Sequence, residues 1–509
     1  MRVRKMAIVF FAGIVAACLF GFAPAACTAD GVSRLTIVHT NDVHSYVDIE
    51  PYVKSYVREL REKGENVILV SAGDAFVGTP FAALSKGQDV VKVMNDAGYE
   101  LFTLGNWEID MPRDELRAVV GKVNFPVLGA NVKEDIRKDI PVIRDYVVKE
   151  YDGVKYGFLG ITWAAYRAPE GTVLGDLAVE ALERAKAGAA TEGATVFVAV
   201  AHLGITDPDE TNRSTYLADK CPWLAAIVDA HCHTLHEKGL MRNGVLIAET
   251  GEYGTNIGVV ELSLSGGKVM EKNARVIQVK GHEATCGILP DAELSDTIAG
   301  IRAENDKFLK QVVGRVPFDL DGERETTRTR ETALGNLVAD AVLWKTNADV
   351  TLISVPYIRK SVQSGDLTNE TLMTMFATSP AVLYVREIEG RELFEMLENS
   401  LRDYPKMSPW FKQVGGIRYV FDPDAEPGKR LVSVTLGDGT PVTADGTYRF
   451  AGHDAHDNWR ADAVEGVDFV VGFGTTPQAF AEYLKSGAQL KSEPDGRIAP
   501  RSGARKETA

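Results

Sequence analysis

The first half of the chain repeats one pattern that strongly limits its fold. A short apolar run typical of a buried strand is followed at once by Asp, Asn or His. The runs read LTIVHTN, NVILVSAG, LFTLG, TVFVAVA and AAIVDA. The polar residues that end or follow them are Asp42, His44, Asp74, Asn106, His202, His231 and His233. Because functional residues of α/β sheets lie at the carboxyl ends of the strands, this pattern predicts one shared polar site.

Helical segments alternate with these runs, which indicates a layered α/β domain. We expect a hairpin over 146–160 that turns at Asp152-Gly153. The other predicted strands cover 66–71, 101–104, 245–250 and 257–264, and the predicted helices cover 88–96 and 177–190.

The length of 509 residues is enough for two or three domains. We expect a first domain over 33–287 and a polar linker helix within 288–311, at 291–309. A second domain over 312–490 would contain helices at 333–344 and 390–401 and strands at 350–355 and 382–388. The tail, 491–509, is rich in Gly, Ser and charge and is predicted to be disordered.

The N-terminus has the pattern of an export signal. Basic residues at 2, 4 and 5 precede the apolar run 6–22, and small residues follow at 23, 25 and 26. We interpret 1–27 as a signal peptide of an exported, periplasmic or cell-surface protein. Lipid attachment at Cys27 and an uncleaved membrane anchor are the alternatives. We expect contact with a membrane only through this segment, since no later run is long and apolar enough to span one.

The net charge of −15 argues against non-specific binding to nucleic acid or to anionic lipid. It also repels an anionic substrate. If the substrate is a phosphate, metal ions are therefore all the more necessary.

Taken singly, each polar residue has an ordinary explanation, such as a capping Asp in a turn or a hydrogen-bonded His in a core. Together, carboxylates, an amide oxygen and imidazoles at strand ends suit two divalent cations, with Mn, Zn, Co, Fe or Mg as candidates. Asp74 follows Gly73, which lets the backbone approach a metal closely, and its carboxylate can bridge two ions.

On these motifs the first half resembles the calcineurin-like metallophosphatase superfamily. Over about 35–484 the chain resembles the exported 5'-nucleotidase and UDP-sugar hydrolase family. The resemblance implies a two-sheet sandwich flanked by helices, a linker helix and a smaller α/β domain. It also implies that one cation is held by Asp42, His44, Asp74 and His233. The other would be held by Asp74, Asn106, His202 and His231.

The second half carries RTRETALGNL at 328–337, GDLT at 365–368 and GGIRY at 415–419, which are similar to the family's C-terminal domain. In the family this domain binds the nucleoside part of the substrate and swings about the linker helix. By this resemblance Arg328 and Arg359 would bind substrate, with Arg324 as a weaker candidate. Phe376 is the candidate for contact with the base.

The chain departs from the family next to Asn106. Where the family has Gly-Asn-His-Glu, this chain has Gly105-Asn106-Trp107-Glu108. The missing His pairs in the family with the residue matching Asp110 and assists phosphoryl transfer, so Asn106 and Asp110 remain as the catalytic candidates. An indole only donates a neutral N–H, and loss of a general acid lowers a rate by roughly two to four orders of magnitude.

The predicted nucleoside pocket departs as well. VPYIR at 355–359 replaces the family's Gly-Gly-Gly-Ile-Arg, and FATSP at 376–380 replaces its Pro-Phe-x-Asn. Stacking of a base between two rings is thus in doubt, and Tyr357, Phe376 and Trp459 are the candidates to replace it.

Three functions remain open from the sequence. The first is an exported dinuclear-metal phosphohydrolase that acts on a small nucleotide-like phosphate ester or anhydride through metal-activated water. The second is a pseudoenzyme that binds metals and phosphate without turnover, which Trp107 keeps open. The third, a purely structural protein, fits poorly with an intact set of seven ligand types.

Overall fold

A computed structural model describes residues 32–163, 171–376, 382–453, 470 and 472–501. The predicted signal peptide with Cys27, the aromatic candidate Trp459 and the tail 502–509 lie outside the described residues.

The N-terminal domain contains thirteen strands among its described residues. They are β1 (Val32–Thr40), β2 (Val67–Ser71), β3 (Leu101–Thr103), β4 (Val127–Leu128), β5 (Ile143–Arg144), β6 (Tyr146–Tyr151), β7 (Val154–Thr162), β8 (Val196–His202), β9 (Leu224–Val228), β10 (Leu240–Arg242), β11 (Val245–Ala248), β12 (Asn256–Ser265) and β13 (Lys268–Gln278).

These strands form two sheets that pack face to face. The first has the order β13-β12-β1-β2-β3-β4-β5 and is parallel from β1 to β5. The second has the order β10-β11-β9-β8-β7-β6, with β7, β8, β9 and β11 parallel. Side chains such as Ile37, Val70, Phe158 and Val198 fill the space between the sheets. Strands buried on both faces have continuous apolar runs, as the sequence shows for β2 and β8.

Helices cover the outer faces of both sheets. They are α1 (Glu50–Glu62), α2 (Pro80–Ser85), α3 (Gln88–Ala97), α4 (Asn106–Ile109), α5 (Arg113–Val120), α6 (Glu134–Asp139), α7 (Asp176–Thr191), α8 (Ser214–Lys220) and, after the last strand, α9 (Ala292–Leu309). The helix predicted at 291–309 is thus present as α9. Its N-cap Asp291 accepts a hydrogen bond from the Leu294 N–H and forms ion pairs with Lys54 and Arg58 of α1.

The C-terminal domain is smaller and also mixed. Its elements are β14 (Val312–Val316), α10 (Arg324–Thr327), α11 (Ala333–Thr346), β15 (Val350–Ser354), β16 (Gly365–Thr368), α12 (Asn369–Met375), β17 (Leu383–Glu389), α13 (Gly390–Ser400), β18 (Lys412–Gly415), β19 (Ile417–Phe421), β20 (Leu431–Leu436), β21 (Thr447–His453), α14 (Thr476–Lys485) and β22 (Ile498–Pro500). The central sheet has the order β17-β21-β15-β18, and α11 and α14 pack together beside it.

The structure confirms the predicted fold class, a two-sheet sandwich with helices followed by a smaller α/β domain.

The predicted disorder is wrong for 491–501. There β22 pairs in parallel with β19, and Arg497 forms ion pairs with Asp340 and Asp495. Charged and small residues suggested a solvated tail, but a specific partner strand and buried ion pairs order this segment. The proposed domain boundaries stay predictions. Over the described residues, no helix combines the length and the apolar character that a membrane crossing requires.

Candidate metal centre

Loops at the carboxyl ends of neighbouring strands bring the seven predicted ligands together. We call them the metal-ligand cluster. They follow or end β1, β2, β3, β8 and β9, which are adjacent within their sheets. In chain order the members are Asp42, His44, Asp74, Asn106, His202, His231 and His233.

The backbone at five of the seven ligands is left-handed, with positive φ. Asp42, His44, Asp74, His231 and His233 have φ values of 48°, 46°, 53°, 82° and 59°. Such values are uncommon for residues other than Gly and gather at functional sites, where surrounding contacts hold them in place. Regular strand geometry therefore ends at these residues, and the left-handed backbone directs their side chains toward one another.

Asp74 lies between two of the imidazoles. Its Oδ2 is 3.3 Å from Nε2 of His202 and 3.8 Å from Nε2 of His44. These distances would allow the Asp74 carboxylate to contact two cations. Asp42 Oδ1 lies 3.5 Å from His233 Nε2, 4.0 Å from His44 Nε2 and 3.9 Å from His202 Nε2.

Asn106 completes the second half of the cluster. Its Oδ1 lies 3.1 Å from Nε2 of His202 and 2.9 Å from Nδ1 of His231. One neutral oxygen thus faces two imidazole nitrogens without adding negative charge. The amide nitrogen of Asn106 is buried and has no hydrogen-bond partner among the described residues.

In two of the imidazoles, the ring nitrogen that faces away from the cluster has a bonding partner of its own. Nδ1 of His202 donates to the carbonyl of Ala72 at 2.8 Å, and Nδ1 of His233 pairs with Glu252. In the neutral form of each ring, with its proton on Nδ1, the Nε2 lone pair would face the cluster. Such outer bonds fix the tautomer and orientation of metal-binding histidines.

Two close approaches require glycine. A Cβ at Gly105 would overlap Asp74 Oδ1, and a Cβ at Gly73 would lie 2.9 Å from Nδ1 of His202. Gly73 also has a φ of 99°, so a side chain there is strained as well as crowded.

Three buried residues that sequence reasoning did not single out hold the ligand loops. The carboxylate of Glu108 accepts backbone N–H bonds from Asp74, Ala75, Phe76 and Gly105 at 2.8–2.9 Å. Asn41 donates to Asp42 Oδ2 at 2.9 Å, and Asp229 accepts from the N–H groups of residues 203 and 204. Their sequence signal is weak, because each looks like an ordinary neighbour of a ligand.

Charge within the cluster is mutually compensated. Burial opposes ionisation of Asp74, but the charge and hydrogen bond of His202 and the charge of His44 lower its pKa to about 2. Burial would likewise lower the pKa of His202, yet Asp74 and Asp42 raise it to about 10. Burial and the charge of His202 lower the pKa of His231 to about 4.

The donor set fits divalent cations. Asp42, His44 and His233 offer ligand atoms that lie within 4.8 Å of one another, and so do Asp42, Asp74 and His202. Asp42 Oδ1 is fully buried without a hydrogen-bond donor in the described part of the chain. Its neighbours at ion-pair distance are the Nε2 atoms of His233, His202 and His44, so its charge is balanced only by protonated imidazoles unless a metal cation takes their place.

Aromatic rings surround the cluster. Trp107 meets the His44 ring edge-on at 6.1 Å between centroids, and its backbone N–H donates to Asp74 Oδ1 at 2.9 Å. Tyr253 lies 5.6 Å from the rings of both His44 and His233. Trp107 therefore borders the cluster, as expected. Asp110 is the C-cap of α4, one turn from Asn106.

The three predicted substrate arginines lie near enough for their charges to affect one another. We call Arg324, Arg328 and Arg359 the arginine cluster. Partial burial and the charges of Arg324 and Arg359 lower the pKa of Arg328. Burial and the charge of Arg324 also lower the pKa of Arg359, whereas Tyr253 acts in the opposite direction. Among the described residues, no carboxylate forms an ion pair with any of the three guanidinium groups.

Phe376 does not lie at the protein surface. It is 2% exposed, stacks on Tyr357 at 5.1 Å between centroids and meets Phe480 edge-on. Tyr357 is fully buried as well. Both aromatic side chains complete the core of the C-terminal domain, so in this structure neither is available to stack on a base. The sequence showed aromatic residues near the expected pocket but not which way they face.

Comparison with known proteins shows similarity over most of the chain and a family match over part of its C-terminal domain. Residues 312–459 match the family model described as 5'-nucleotidase, C-terminal domain. The 5'-nucleotidase of Vibrio parahaemolyticus is 25% identical over 521 residues, which cover 92% of this chain and 91% of that protein. The chain is a relative of the 5'-nucleotidases.

Another relative of this 5'-nucleotidase-like chain is the trifunctional nucleotide phosphoesterase protein YfkN of Bacillus subtilis. It is 28% identical over 531 residues, which cover 92% of this chain. The chain spans only 35% of that relative's length. The crystal structure of a 5'-nucleotidase precursor from Thermus thermophilus has the same fold. It gives a TM-score of 0.67 at 24% identity and covers 92% of this chain and 99% of that one.

Proposed function

We propose that this protein is an exported dinuclear-metal phosphohydrolase that cleaves a phosphate ester or anhydride of a nucleotide or a related small molecule. The observation that carries the proposal is the position of Asp74 Oδ2, 3.8 Å from His44 Nε2 and 3.3 Å from His202 Nε2. A carboxylate shared between two sets of imidazoles is the geometry that a pair of cations needs.

Each half of the metal-ligand cluster would hold one cation, and Asp74 would bridge them. Asp42, His44 and His233 serve one cation, and Asn106, His202 and His231 serve the other. When bound, two such cations polarise a phosphoryl oxygen and make hydroxide available from water near neutral pH. The chain's own residues then fix the geometry. Glu108 holds the loops of Asp74 and Gly105 in place through four backbone hydrogen bonds.

The arginine cluster supplies the positive charge that the rest of the chain lacks. With a net charge of −15, the protein as a whole repels an anionic substrate. The charge of Arg324 disfavours the charged forms of Arg328 and Arg359, and Glu325 opposes this only at Arg328, so a bound anion would stabilise the three guanidinium groups. We therefore assign them to the anionic or sugar part of a nucleotide-like substrate whose scissile phosphate meets the cations.

Trp107 decides the range of leaving groups. Indole carries no proton that it can transfer, so a poor leaving group leaves without protonation from this position. The rate should be greatest for leaving groups that are already stable as anions, such as phenolates or phosphates. Asp110 lies beside Asn106 but has no imidazole at position 107 to orient.

The second candidate function is a pseudoenzyme that binds metals and phosphate without turnover. The observation that favours it is again Trp107, whose ring lies 6.1 Å from the His44 ring at the border of the cluster. If the indole fills the space of the phosphate, no substrate turns over.

The proposed cellular location is inferred from the first residues of the chain alone. A basic start, an apolar run and small residues at 23–26 favour export to the periplasm or the cell surface, with lipid attachment at Cys27 as the alternative to simple cleavage. The expected partner is a small phosphate-containing molecule and not nucleic acid.

The test uses protein that begins after residue 27. The purified protein is loaded with Mn²⁺, Zn²⁺, Co²⁺ or Mg²⁺, analysed for bound metal and assayed with p-nitrophenyl phosphate, nucleoside monophosphates and a nucleoside diphosphate. Two cations per chain and turnover support the phosphohydrolase. Two cations without turnover support the pseudoenzyme. Absence of stoichiometric metal contradicts both.

A further inference from the structure

Trp163 lies directly against one of the proposed ligands. It follows β7, and its indole stacks on the imidazole of His231 with 4.7 Å between ring centroids and 20° between the ring planes. This is the closest and most parallel contact between an aromatic side chain and a ligand imidazole in the described part of the chain.

The indole is itself held in place. Its Nε1–H donates to Asp207 Oδ2 at 2.7 Å. The other oxygen of Asp207 accepts the Asp209 N–H at 2.7 Å, and the carbonyl of Asp207 accepts from Arg213 Nε at 2.6 Å. The stacked ring therefore belongs to a hydrogen-bonded turn and does not depend on the stack for its orientation.

In the part of the chain that the structure describes, His231 lacks the outer hydrogen bond that His202 and His233 have. His202 and His233 each have a second ring nitrogen bonded to a carbonyl or a carboxylate. The Nδ1 of His231 faces Asn106 Oδ1 at 2.9 Å, and its other ring nitrogen makes no hydrogen bond within the described residues. A rotation of this ring would move Nδ1 away from the point that Asn106 and His202 share.

We propose that Trp163, anchored by Asp207, is a positioning residue that holds the His231 imidazole in the orientation needed for the second cation. This inference rests on the proposed function, because it assumes that Asp74, Asn106, His202 and His231 form a cation site. It assigns to Trp163 no contact with substrate.

The test compares Trp163→Leu, which keeps apolar volume but removes the flat ring, with Trp163→Phe, which keeps a ring able to stack. The matched control is Trp223→Leu. Trp223 also donates its Nε1–H to a carboxylate, Glu183 at 2.6 Å, but it packs against Phe197 and Lys186 and not against a ligand. A fourth variant, Asp207→Ala, keeps the indole and removes its anchor.

Metal-free protein of each variant is titrated with Co²⁺, and stoichiometry and stepwise affinity are followed by calorimetry and by the visible absorption of bound Co²⁺. Loss of an outer contact to a metal ligand typically weakens binding roughly 10- to 100-fold. We expect that loss for the second Co²⁺ in Trp163→Leu, with the first Co²⁺ unchanged. Trp163→Phe, which keeps a stacking ring but loses the hydrogen bond to Asp207, and Asp207→Ala, which keeps the indole but loses the same bond, should both lie between wild type and Trp163→Leu, and Trp223→Leu should match wild type.

Wild-type affinity for both ions in a folded Trp163→Leu would overturn the inference, and so would an equal loss in Trp163→Phe and Trp163→Leu. If Trp163→Leu does not fold, as judged by thermal unfolding, Asp207→Ala decides, and wild-type binding by that variant overturns the inference. Failure of the proposed function is distinct, because it appears as a wild-type protein that binds fewer than two ions.

Discussion

The metal-ligand cluster and the arginine cluster differ in how their charges are balanced. The first combines negative and positive side chains, whereas the second contains only positive ones. In the first, carboxylates and imidazoles are buried together and compensate one another, as the pKa of about 2 for Asp74 and of about 10 for His202 shows. In the second, three positive groups lie close together, and the pKa values of Arg328 and Arg359 are lowered partly by their like-charged neighbours.

The difference separates two tasks. A compensated and buried cluster keeps its geometry without a ligand, so metal binding should depend on the N-terminal domain alone. The arginine cluster gains its stabilisation only when an anion binds, so substrate affinity should depend on the C-terminal domain. Substitutions in the metal-ligand cluster should therefore change metal binding, and substitutions in the arginine cluster should change substrate affinity.

The largest effect should follow from Asp74→Ala. Removal of the shared carboxylate takes one ligand from each cation and leaves imidazoles whose partner charge is gone. Both cations should be lost, and turnover should fall at least roughly a thousandfold. Elemental analysis after gel filtration and the aryl phosphate assay measure the two effects.

The control for this variant is Asp96→Ala, which removes an exposed carboxylate from the same domain on α3. Two bound ions in a folded Asp74→Ala protein would show that Asp74 does not bridge them.

The next effect concerns Trp107 at the border of the metal-ligand cluster. Trp107→His restores a group that can donate a proton, and Asp110 one turn later can orient it. For an alkyl phosphate the rate should rise roughly 100-fold, and for p-nitrophenyl phosphate it should rise far less. The slope of log kcat/KM against leaving-group pKa measures the difference.

Trp107→Phe separates the effect of proton donation from the effect of steric hindrance. It makes the side chain smaller without adding an imidazole. If both variants raise the rate equally, steric hindrance by the indole explains the wild-type behaviour. A wild type with no dependence on leaving-group pKa and no gain in Trp107→His would assign the lost role to another residue.

A smaller effect is expected in the arginine cluster. Arg359→Ala removes a charge-assisted contact worth about 1.5–3 kcal/mol, so KM for a nucleotide substrate should rise roughly ten- to a hundredfold. Metal content should not change, because the ligands lie in the other domain. Steady-state kinetics and elemental analysis test the two parts.

Arg391→Ala is the matched control, since Arg391 on α13 already pairs with Asp445. A loss of metal in Arg359→Ala, or an unchanged KM, would contradict the separation of the two clusters.

The comparison also shows which features a sequence reveals. The seven proposed ligands follow or end apolar runs whose period and length identify buried strands, so local pattern predicts where these residues lie in the sheets. Carboxyl ends of neighbouring strands then had to meet, and the structure brings all seven side chains together. The fold class followed from the same alternation of strands and helices.

Features that depend on tertiary partners were not visible in this way. Phe376 looked like a pocket residue, but stacking on Tyr357 makes it part of the core. The segment 491–501 looked disordered until β19 supplied a partner strand. Glu108 binds four backbone N–H groups, yet its role depends mainly on the loop after β2, far earlier in the sequence, which no local pattern encodes.

The last effect is on stability and tests whether a buried carboxyl outside the metal-ligand cluster is also held without a compensating charge. Glu50 is 2% exposed at the start of α1, and its Oε1 accepts a hydrogen bond from the Tyr99 hydroxyl, which also bonds Thr40 at the end of β1. No basic group pairs with Glu50 among the described residues, and burial raises its pKa from 4.5 to about 8. A carboxyl whose pKa is higher in the folded than in the unfolded state destabilises the fold as pH rises between these two values. The slope for one such group is ~1.4 kcal/mol per pH unit.

Glu50→Gln stays neutral and should be progressively more stable than wild type from about pH 5 to pH 8, with a constant difference above that. Urea unfolding across this range measures the difference, and Glu59→Gln on the exposed side of α1 should show none of it. A pH-independent difference between Glu50→Gln and wild type would mean that Glu50 is already charged in the folded protein, and that the N-terminal domain tolerates an uncompensated buried charge.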